Sequence, residues 1–404
     1  MTISRREFLA SMGGLAALLM HDDALAAPAA NTRYGLVGTI LTGHGSPPLV
    51  DHGVLINKGR IEDVVPAHAI ADREILALPD AFILPGIVNC HVHRIHSATD
   101  RRERYLKHGV TSIGDAASPM AALSELMVSP PGRTATAACA GPMLCPPGGY
   151  PLPVHSPDHG LVASSPAQGR ERVRQLADVG ATMVKLAFEP GPHSVPWPVF
   201  NVVTAEAICD EARKRNLTVR CHVEDVGGLK PALDAGVHTI EHVPHRWIDS
   251  GQFHKILKNT ADMPVPTKPY RDLLDRMVRE SVILTPTLDV LSRSIWNGPE
   301  LFEPVRYFAR AGGQIALGND HPYRRTDAGM PLQEMRLLRK AGLEPDAIIT
   351  SATNISARAC GFTDRGTIAP GMAADMLVLT KDPRESLEAF TTPLHIIKDG
   401  VFIT

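Results

Sequence analysis

The sequence predicts an α/β protein: a (β/α)8 TIM-like barrel carrying a small β-sandwich domain built from both chain ends. Three observations lead there. Eight apolar, strand-like segments recur through the middle of the chain, most of them separated by helical patterns. The stretches before and after that middle share another texture, short strands broken by Gly and Pro. Residues with useful chemistry fall at the ends of the eight segments, where such a barrel places its active site.

At the N-terminus, Arg5 and Arg6 precede an apolar stretch from Phe8 to Met20, and Ala24, Leu25 and Ala26 follow in a small-x-small cleavage pattern. Residues 1–27 therefore read as a twin-arginine export signal. Its apolar stretch of about a dozen residues is too short for a membrane span. The mature chain is expected to start near Ala27 as a periplasmic or secreted protein without a membrane span.

Residues 28–84 hold "YGLVGTILTG", "HGVLINKGRIEDVVP" and "REILALPDAFILPG", too little to stand alone. Residues 362–404 hold "GTIAPGMAADMLVLT" and "TPLHIIKDGVFIT" in the same style, so the two ends are expected to pair into one sandwich. The middle domain, residues 85–361, carries strands at 86–93, 109–116, 133–141, 181–188, 217–223, 237–243, 281–290 and 314–320. Helical patterns such as "PAQGRERVRQLADVG", "TAEAICDEARKRN" and "KPYRDLLDRMVRES" lie between them. An open doubly wound sheet is the alternative, but no GxGxxG turn follows the first strand. Residues 142–166, too rich in Pro and Gly for a helix, form a long loop expected to act as a lid or substrate wall.

Net charge is −2, from 41 basic and 43 acidic residues, with no basic run of the kind that binds nucleic acid. A small-molecule substrate is the expected partner, and a homo-oligomer is compatible with this reading. The six cysteines have no CxxC spacing, which argues against a zinc knuckle; an exported protein can carry a disulfide, but Cys90, Cys139 and Cys221 fall within expected strands, where a free buried thiol is commonplace. The 18 histidines outnumber Trp, Tyr and Cys together, and imidazole is the commonest metal-binding side chain.

The strand ends carry the chemistry. His91 and His93 stand two apart on one face of the first strand; Lys185 lies on the fourth, His222 on the fifth, His242 on the sixth and Asp320 on the eighth. Alternation puts Ala316 and Gly318 on the face of Asp320, leaving room for a ligand cluster. Lys185 is the puzzle, because an ammonium buried unpaired in "TMVKLAF" is costly. A head that snorkels to solvent is the plain alternative.

On these residues the chain resembles the amidohydrolase superfamily of metal-dependent hydrolases, in the branch of Xaa-Pro dipeptidases and imidazolonepropionase-like proteins. "LPGIVN" before the His-x-His resembles the family's "PGxID" entry, "AGVHTIEH" its sixth strand, and "GTIAPGMAADMLVL" the tail that closes its sandwich. The likeness runs from about Tyr34 to Thr404. It implies that CO₂ carboxylates Lys185 to a carbamate bridging two divalent metals. His91, His93 and Asp320 would hold the more buried metal, and His222 and His242 the second. Zinc suits such ligands, with Mn, Fe or Co as substitutes. Asp320 would then be the general base for metal-activated water attacking an amide or peptide-like C–N bond. Asn319 stands where the family often has Thr or Ser, and Arg94 follows the first metal pair; neither removes a ligand.

Pocket residues expected beyond the strand ends or in the long loop are Arg94, Tyr150, His155, His245, Arg246, Tyr323 and Arg324. Arginine suits a bidentate grip on carboxylate, which points to a dipeptide or N-acyl amino acid. Two rivals differ in class: a lyase (decarboxylase or dehydratase) on the same barrel, and a non-catalytic exported metal- or ligand-binding protein.

Overall fold

The computed structural model describes residues 33–70, 74–97, 100–191, 195–246, 266–294 and 297–403. The export-signal reading of residues 1–27 lies outside them.

Four strands open the described chain: β1 (Arg33–Ile40), β2 (Leu49–Asn57), β3 (Arg60–Pro66) and β4 (Glu74–Pro85). Nine lie in the middle: β5 (Ile87–Val92), β6 (Val110–Asp115), β7 (Thr136–Cys139), β8 (Met143–Cys145), β9 (Gly160–Val162), β10 (Met183–Ala187), β11 (Thr218–His222), β12 (Thr239–Glu241) and β13 (Ile283–Thr285). Three end it: β14 (Met376–Leu379), β15 (His395–Lys398) and β16 (Val401–Phe402).

The first four and last three strands form one seven-stranded sheet in the order β16-β15-β14-β4-β1-β2-β3. The chain ends meet where β14 runs antiparallel to β4, Leu377 opposite Leu84. Alternation along β14 sends Met376 and Val378 into a core shared with Leu36, Val54 and Ile83, while Leu377 and Leu379 join the larger core of the middle domain. A buried ion pair fastens the seam: Lys398 Nζ lies 2.8 Å from Asp375 Oδ2. Arg365 Nη1 reaches the same oxygen at 2.9 Å and Thr136 Oγ1 on β7 at 3.0 Å.

The middle strands are parallel, in a three-stranded sheet β5-β6-β7 and a six-stranded sheet β13-β12-β11-β10-β8-β9. The chain is thus α/β with parallel sheets. Seven of the eight expected positions carry a ladder strand. The segment 314–320 is not part of a ladder, yet it hydrogen-bonds on both sides. Ala316 N donates to Leu284 O on β13 at 2.8 Å, and Cys90 N on β5 donates to Leu317 O at 2.9 Å. At the other junction Thr182 N donates to Cys139 O at 2.9 Å.

Two expectations need correction. The strand over 281–290 ends at Thr285, because Thr287 takes a left-handed φ of 49° and the helix Leu288–Ser292 begins there. The first backbone N–H groups of that helix are taken by Glu334, 46 residues away in sequence. Residues 142–166 are more than a loop: Leu144 of β8 pairs with Leu186, and β9 lies outside β8.

Three of the described α-helices begin where a short polar side chain accepts an orphan N–H group. Ser165 accepts from Gln168 N at 3.3 Å before Pro166–Asp178, with Pro166 at the first helical position. Asn201 accepts from Thr204 N at 2.8 Å before Val202–Lys214, and Asp225 from Gly227 N at 2.8 Å before Val226–Asp234. The last of these caps sits three residues past His222 and so fixes where β11 ends. All six cysteines are free and buried. No described helix is long and apolar enough to cross a membrane.

Candidate metal centre

Lys185 points inward from the middle of β10 and is only 1% exposed, with no hydrogen-bond partner for Nζ among the described residues. Burial is the largest influence on it and lowers its pKa to about 8.

His91 and His93 leave the end of β5, where the register with β6 shifts between Asn89 and Val92. His93 Nε2 lies 3.3 Å from His91 Nε2 and 3.1 Å from Asp320 Oδ1, while His91 Nε2 is 3.5 Å from the same oxygen. Asp320 is tied to the strand it faces, its N–H donating to His91 O at 2.9 Å. Burial works against the Asp320 carboxylate, but His93, His91 and Lys185 together hold its pKa below the ordinary value. Gly318 creates the space: a Cβ there would come within 2.6 Å of His91 Cβ.

Behind His91 lies a charge layer sealed from solvent. Arg220 Nη2 meets Glu241 Oε2 at 2.6 Å and its Nε meets Oε1 at 3.0 Å, both side chains fully buried. Thr239 Oγ1 donates to Glu241 Oε1 at 2.6 Å, and His91 Nδ1 donates to Oε2. That bond leaves the lone pair of His91 on Nε2, directed at Asp320 and His93. Burial, then Lys185, brings the His91 pKa down to about 4, so the ring is neutral at pH 7 and available as a ligand.

His242 follows Glu241 directly, yet both serve the same site. Strand alternation would send them to opposite faces. A left-handed φ of 69° at His242 turns the chain instead. The His242 ring stands 5.0 Å from that of His91 and 4.4 Å from that of His222. Its Nδ1 bonds Thr287 Oγ1 at 2.7 Å, which aims Nε2 inward. Asp320 also has a left-handed φ, 57°. Such conformations cost about 1–3 kcal/mol for a non-glycine residue and gather at functional sites.

His222 closes β11. Its Nε2 is 3.5 Å from Glu189 Oε2 and 3.9 Å from Glu224 Oε1. Arg246 bridges these acids, with Nη2 2.6 Å from Glu189 Oε2 and 3.0 Å from Glu224 Oε2. Burial opposes ionisation of Glu189, but His222 and Arg246 hold its pKa down at about 2. Two sets of donor atoms lie mutually within 4.8 Å: His91, His242 and Asp320, and His222, Glu224 and His242. Imidazoles, carboxylates and one buried nitrogen without a hydrogen-bond partner among the described residues suit a divalent cation.

Several expected pocket residues surround this centre. Tyr150 stacks on His222 with ring centroids 4.5 Å apart, and its hydroxyl is 3.2 Å from His155 Nε2. Tyr323 meets His93 edge-on at 5.0 Å, and the Arg94 guanidinium lies 5.7 Å from the centre of the Tyr323 ring. Arg324 is exposed, whereas His245 is buried with Nδ1 3.0 Å from Val243 O. Asn319 joins the first and last segments of the site: Asn89 Nδ2 donates to its Oδ1 at 2.9 Å, and its own Nδ2 donates to Asp327 O.

Sequence reasoning missed Arg220, Glu241, Glu189, Glu224 and Thr287. Arg220 was within reach, since it shares the inward face of His222 two residues on. Glu241 was hidden by the backbone turn at His242.

The profile of the amidohydrolase family matches residues 152–403. The ochratoxinase of Aspergillus niger is 24% identical over 254 residues, 58% of this chain and 49% of that protein. The chain therefore spans about half the length of the curated relatives it matches. Among solved structures, the ochratoxinase of A. niger aligns over 92% of this chain and 96% of its own, with a TM-score of 0.73 at 17% identity. A Xaa-Pro dipeptidase with bound methionine in its active site aligns over 92% and 99%, with a TM-score of 0.71 at 20% identity. At these identities the structural likeness concerns the fold. The family profile covers more than half of the residues, and the chain belongs to the amidohydrolase family.

Proposed function

We propose that the chain is a metal-dependent hydrolase cleaving the C–N bond of a small amide or peptide-like substrate. In this reading His91, His93, Lys185, His222, His242 and Asp320 hold two divalent ions, zinc foremost. Residues 314–320 close residues 85–361 into an eight-stranded barrel, and residues 28–84 and 362–404 make the sandwich beside it. The hydrogen bonds from 314–320 to both neighbouring strands support that closure. A twin-arginine signal would take the protein out of the cytoplasm.

One observation carries the reading: Lys185 Nζ is buried, has no hydrogen-bond partner among the described residues, and acts electrostatically on His91, His242 and Asp320. Burial brings its pKa down to about 8, which raises the share of free amine near neutral pH. The free amine adds to CO₂: a nitrogen–carbon bond forms, one C–O π pair moves onto oxygen as negative charge, and Nζ loses a proton to solvent. A costly cation becomes an anion suited to a dication site.

When bound, the ions supply Lewis acidity that activates water and polarises the scissile carbonyl. Asp320, held by its N–H to His91 O, takes the water's proton and delivers it to the leaving nitrogen. Tyr150, His155 and Tyr323 wall the substrate and exclude water. Arg94 and Arg324, exposed at the mouth, receive a substrate carboxylate, while Arg246 braces Glu189 and Glu224. The names of the similar proteins, ochratoxinase and Xaa-Pro dipeptidase, favour amide and dipeptide substrates over a lyase reaction.

The test is a panel of Xaa-Pro dipeptides, N-acyl amino acids, uncharged amides and lactones, assayed with Zn or Mn in ¹⁸O-labelled water. Hydrolysis must place ¹⁸O in the acid product. Turnover without label uptake would favour a lyase, activity confined to uncharged amides would remove the carboxylate grip, and tight binding without turnover would leave a binding protein.

A further inference from the structure

The geometry points to Glu224 as a ligand of the second metal position, able to complete that position when Lys185 is not carboxylated. The inference rests on the metal-dependent reading above and adds a donor to it.

Glu224 divides its carboxylate between two duties. Oε2 lies 3.0 Å from Arg246 Nη2, while Oε1 faces His222 Nε2 at 3.9 Å. Two donors each about 2.0–2.1 Å from a tetrahedral zinc stand roughly 3.3–3.4 Å apart, so a shift of about half an ångström completes the pair. The backbone is braced as well: the N–H groups of His245 and Arg246 both donate to Glu224 O at 3.0 Å. The Arg246 guanidinium is shared with Glu189, which holds the acid side chain beside the imidazole.

His242 decides how the donors are allotted. Its Nδ1 is occupied by Thr287, so it has one lone pair and can serve one ion. It lies within 4.8 Å of both the His91–Asp320 pair and the His222–Glu224 pair. If His91, His93 and Asp320 hold the first ion, His242 is released to join His222 and Glu224, and three protein donors then surround the second. Lys185 Nζ, buried and without a hydrogen-bond partner among the described residues, would remain for a bridging role when carboxylated.

The test measures Zn²⁺ per chain, and the affinity of each step, by titrating metal-free full-length protein in bicarbonate-supplied and CO₂-free buffer. Wild type, Lys185→Met, Glu224→Gln and the double variant are compared. Lys185→Met is expected to keep two zinc ions, the second bound more weakly. The double variant is expected to keep one. Glu224→Gln should lose second-site affinity by more than the roughly 10–100-fold that loss of an outer partner causes, most sharply without CO₂. The carboxylate is partly exposed and Gln is isosteric, and a shifted Co²⁺ visible spectrum in this single variant reports the ligand change independently of the lysine variants. Equal second-site affinity and an unchanged Co²⁺ spectrum in Glu224→Gln, or a single zinc in Lys185→Met, would overturn the assignment. Wild-type protein binding no zinc under either condition would overturn the metal reading itself.

Discussion

Arg220 and Glu241 form a two-point ion pair with neither side chain exposed, 2.6 and 3.0 Å between their paired atoms, and the acid of that pair also receives the Nδ1–H of His91. The pair therefore sets which nitrogen of His91 is free. Burial opposes charge on Glu241, yet Arg220, Lys185 and His91 keep its pKa well below the ordinary value. Glu241→Gln leaves the Arg220 charge buried without its counter-ion, a loss of about 3–5 kcal/mol in stability. Zinc affinity should fall roughly 10–100-fold as the His91 ring loses its anchor. Melting curves and metal titration read the two effects separately; unchanged zinc affinity would show that His91 needs no such anchor.

Asp320 is placed both to move protons and to hold the first ion, and its replacement should be felt in turnover and in zinc affinity. Asp320→Asn keeps the shape and the backbone bond to His91 but cannot take a proton. On any substrate from the hydrolysis panel, kcat should fall roughly 10²–10⁴-fold. Zinc bound per chain, measured on the same samples, separates lost proton transfer from lost metal. Full activity in this variant would end the general-base role.

Gly318 is a packing test of the same centre. An alanine Cβ would press on His91 Cβ at 2.6 Å and on Thr285 Cγ2 at 2.9 Å, both held by strands. Gly318→Ala should cost about 1–3 kcal/mol by overpacking and weaken zinc binding by displacing His91. Wild-type melting temperature and zinc affinity in this variant would mean that the strands yield more easily than their hydrogen bonds suggest.

These residues also mark how far the sequence could be read. Lys185 and His222 were found because β10 and β11 are regular, and period-two alternation holds along them. Gly318 followed from the same rule. Alternation fails where the backbone turns left-handed, at His242 and Asp320, and neither position carries the glycine that would announce it. Both residues were still located, because their own chemistry is conspicuous. Their effect on a neighbour was not: Glu241 shares the inward face of Thr239 on β12, and it is the turn at His242 that lets the next residue serve the same site. Glu189 and Glu224 lie just past strand ends, in turns whose path depends on Arg246 from a later segment. The strand expected over 281–290 stops at Thr285 for a similar reason, since the helix start at Leu288 is satisfied by Glu334, far away in sequence.

Glu334 supplies a pH test away from the metal centre. Its side chain is fully buried, and its two oxygens accept from Leu288 N at 2.9 Å and Asp289 N at 2.6 Å. Burial dominates and pushes its carboxyl well above the ordinary value; the two backbone bonds oppose this and nearby Asp289 adds to it. In the unfolded chain the group releases its proton near pH 4.3, the usual glutamate value, while the folded chain still holds it. Over that window the folded state binds more protons than the unfolded state, so stability falls as pH rises. The contribution is fully present below the unfolded value and is gone above the folded one. Glu334→Gln cannot titrate, so its stability should be flatter than that of the wild type as pH rises from the usual glutamate value towards the raised folded one, by up to about 1.4 kcal/mol per pH unit. The variant gives up one backbone hydrogen bond, worth about 1 kcal/mol, which offsets the whole curve without changing its slope. Melting temperatures at pH 5, 6 and 7 decide it: parallel profiles would mean that the helix N-terminus at Leu288 keeps Glu334 ionised in the folded protein.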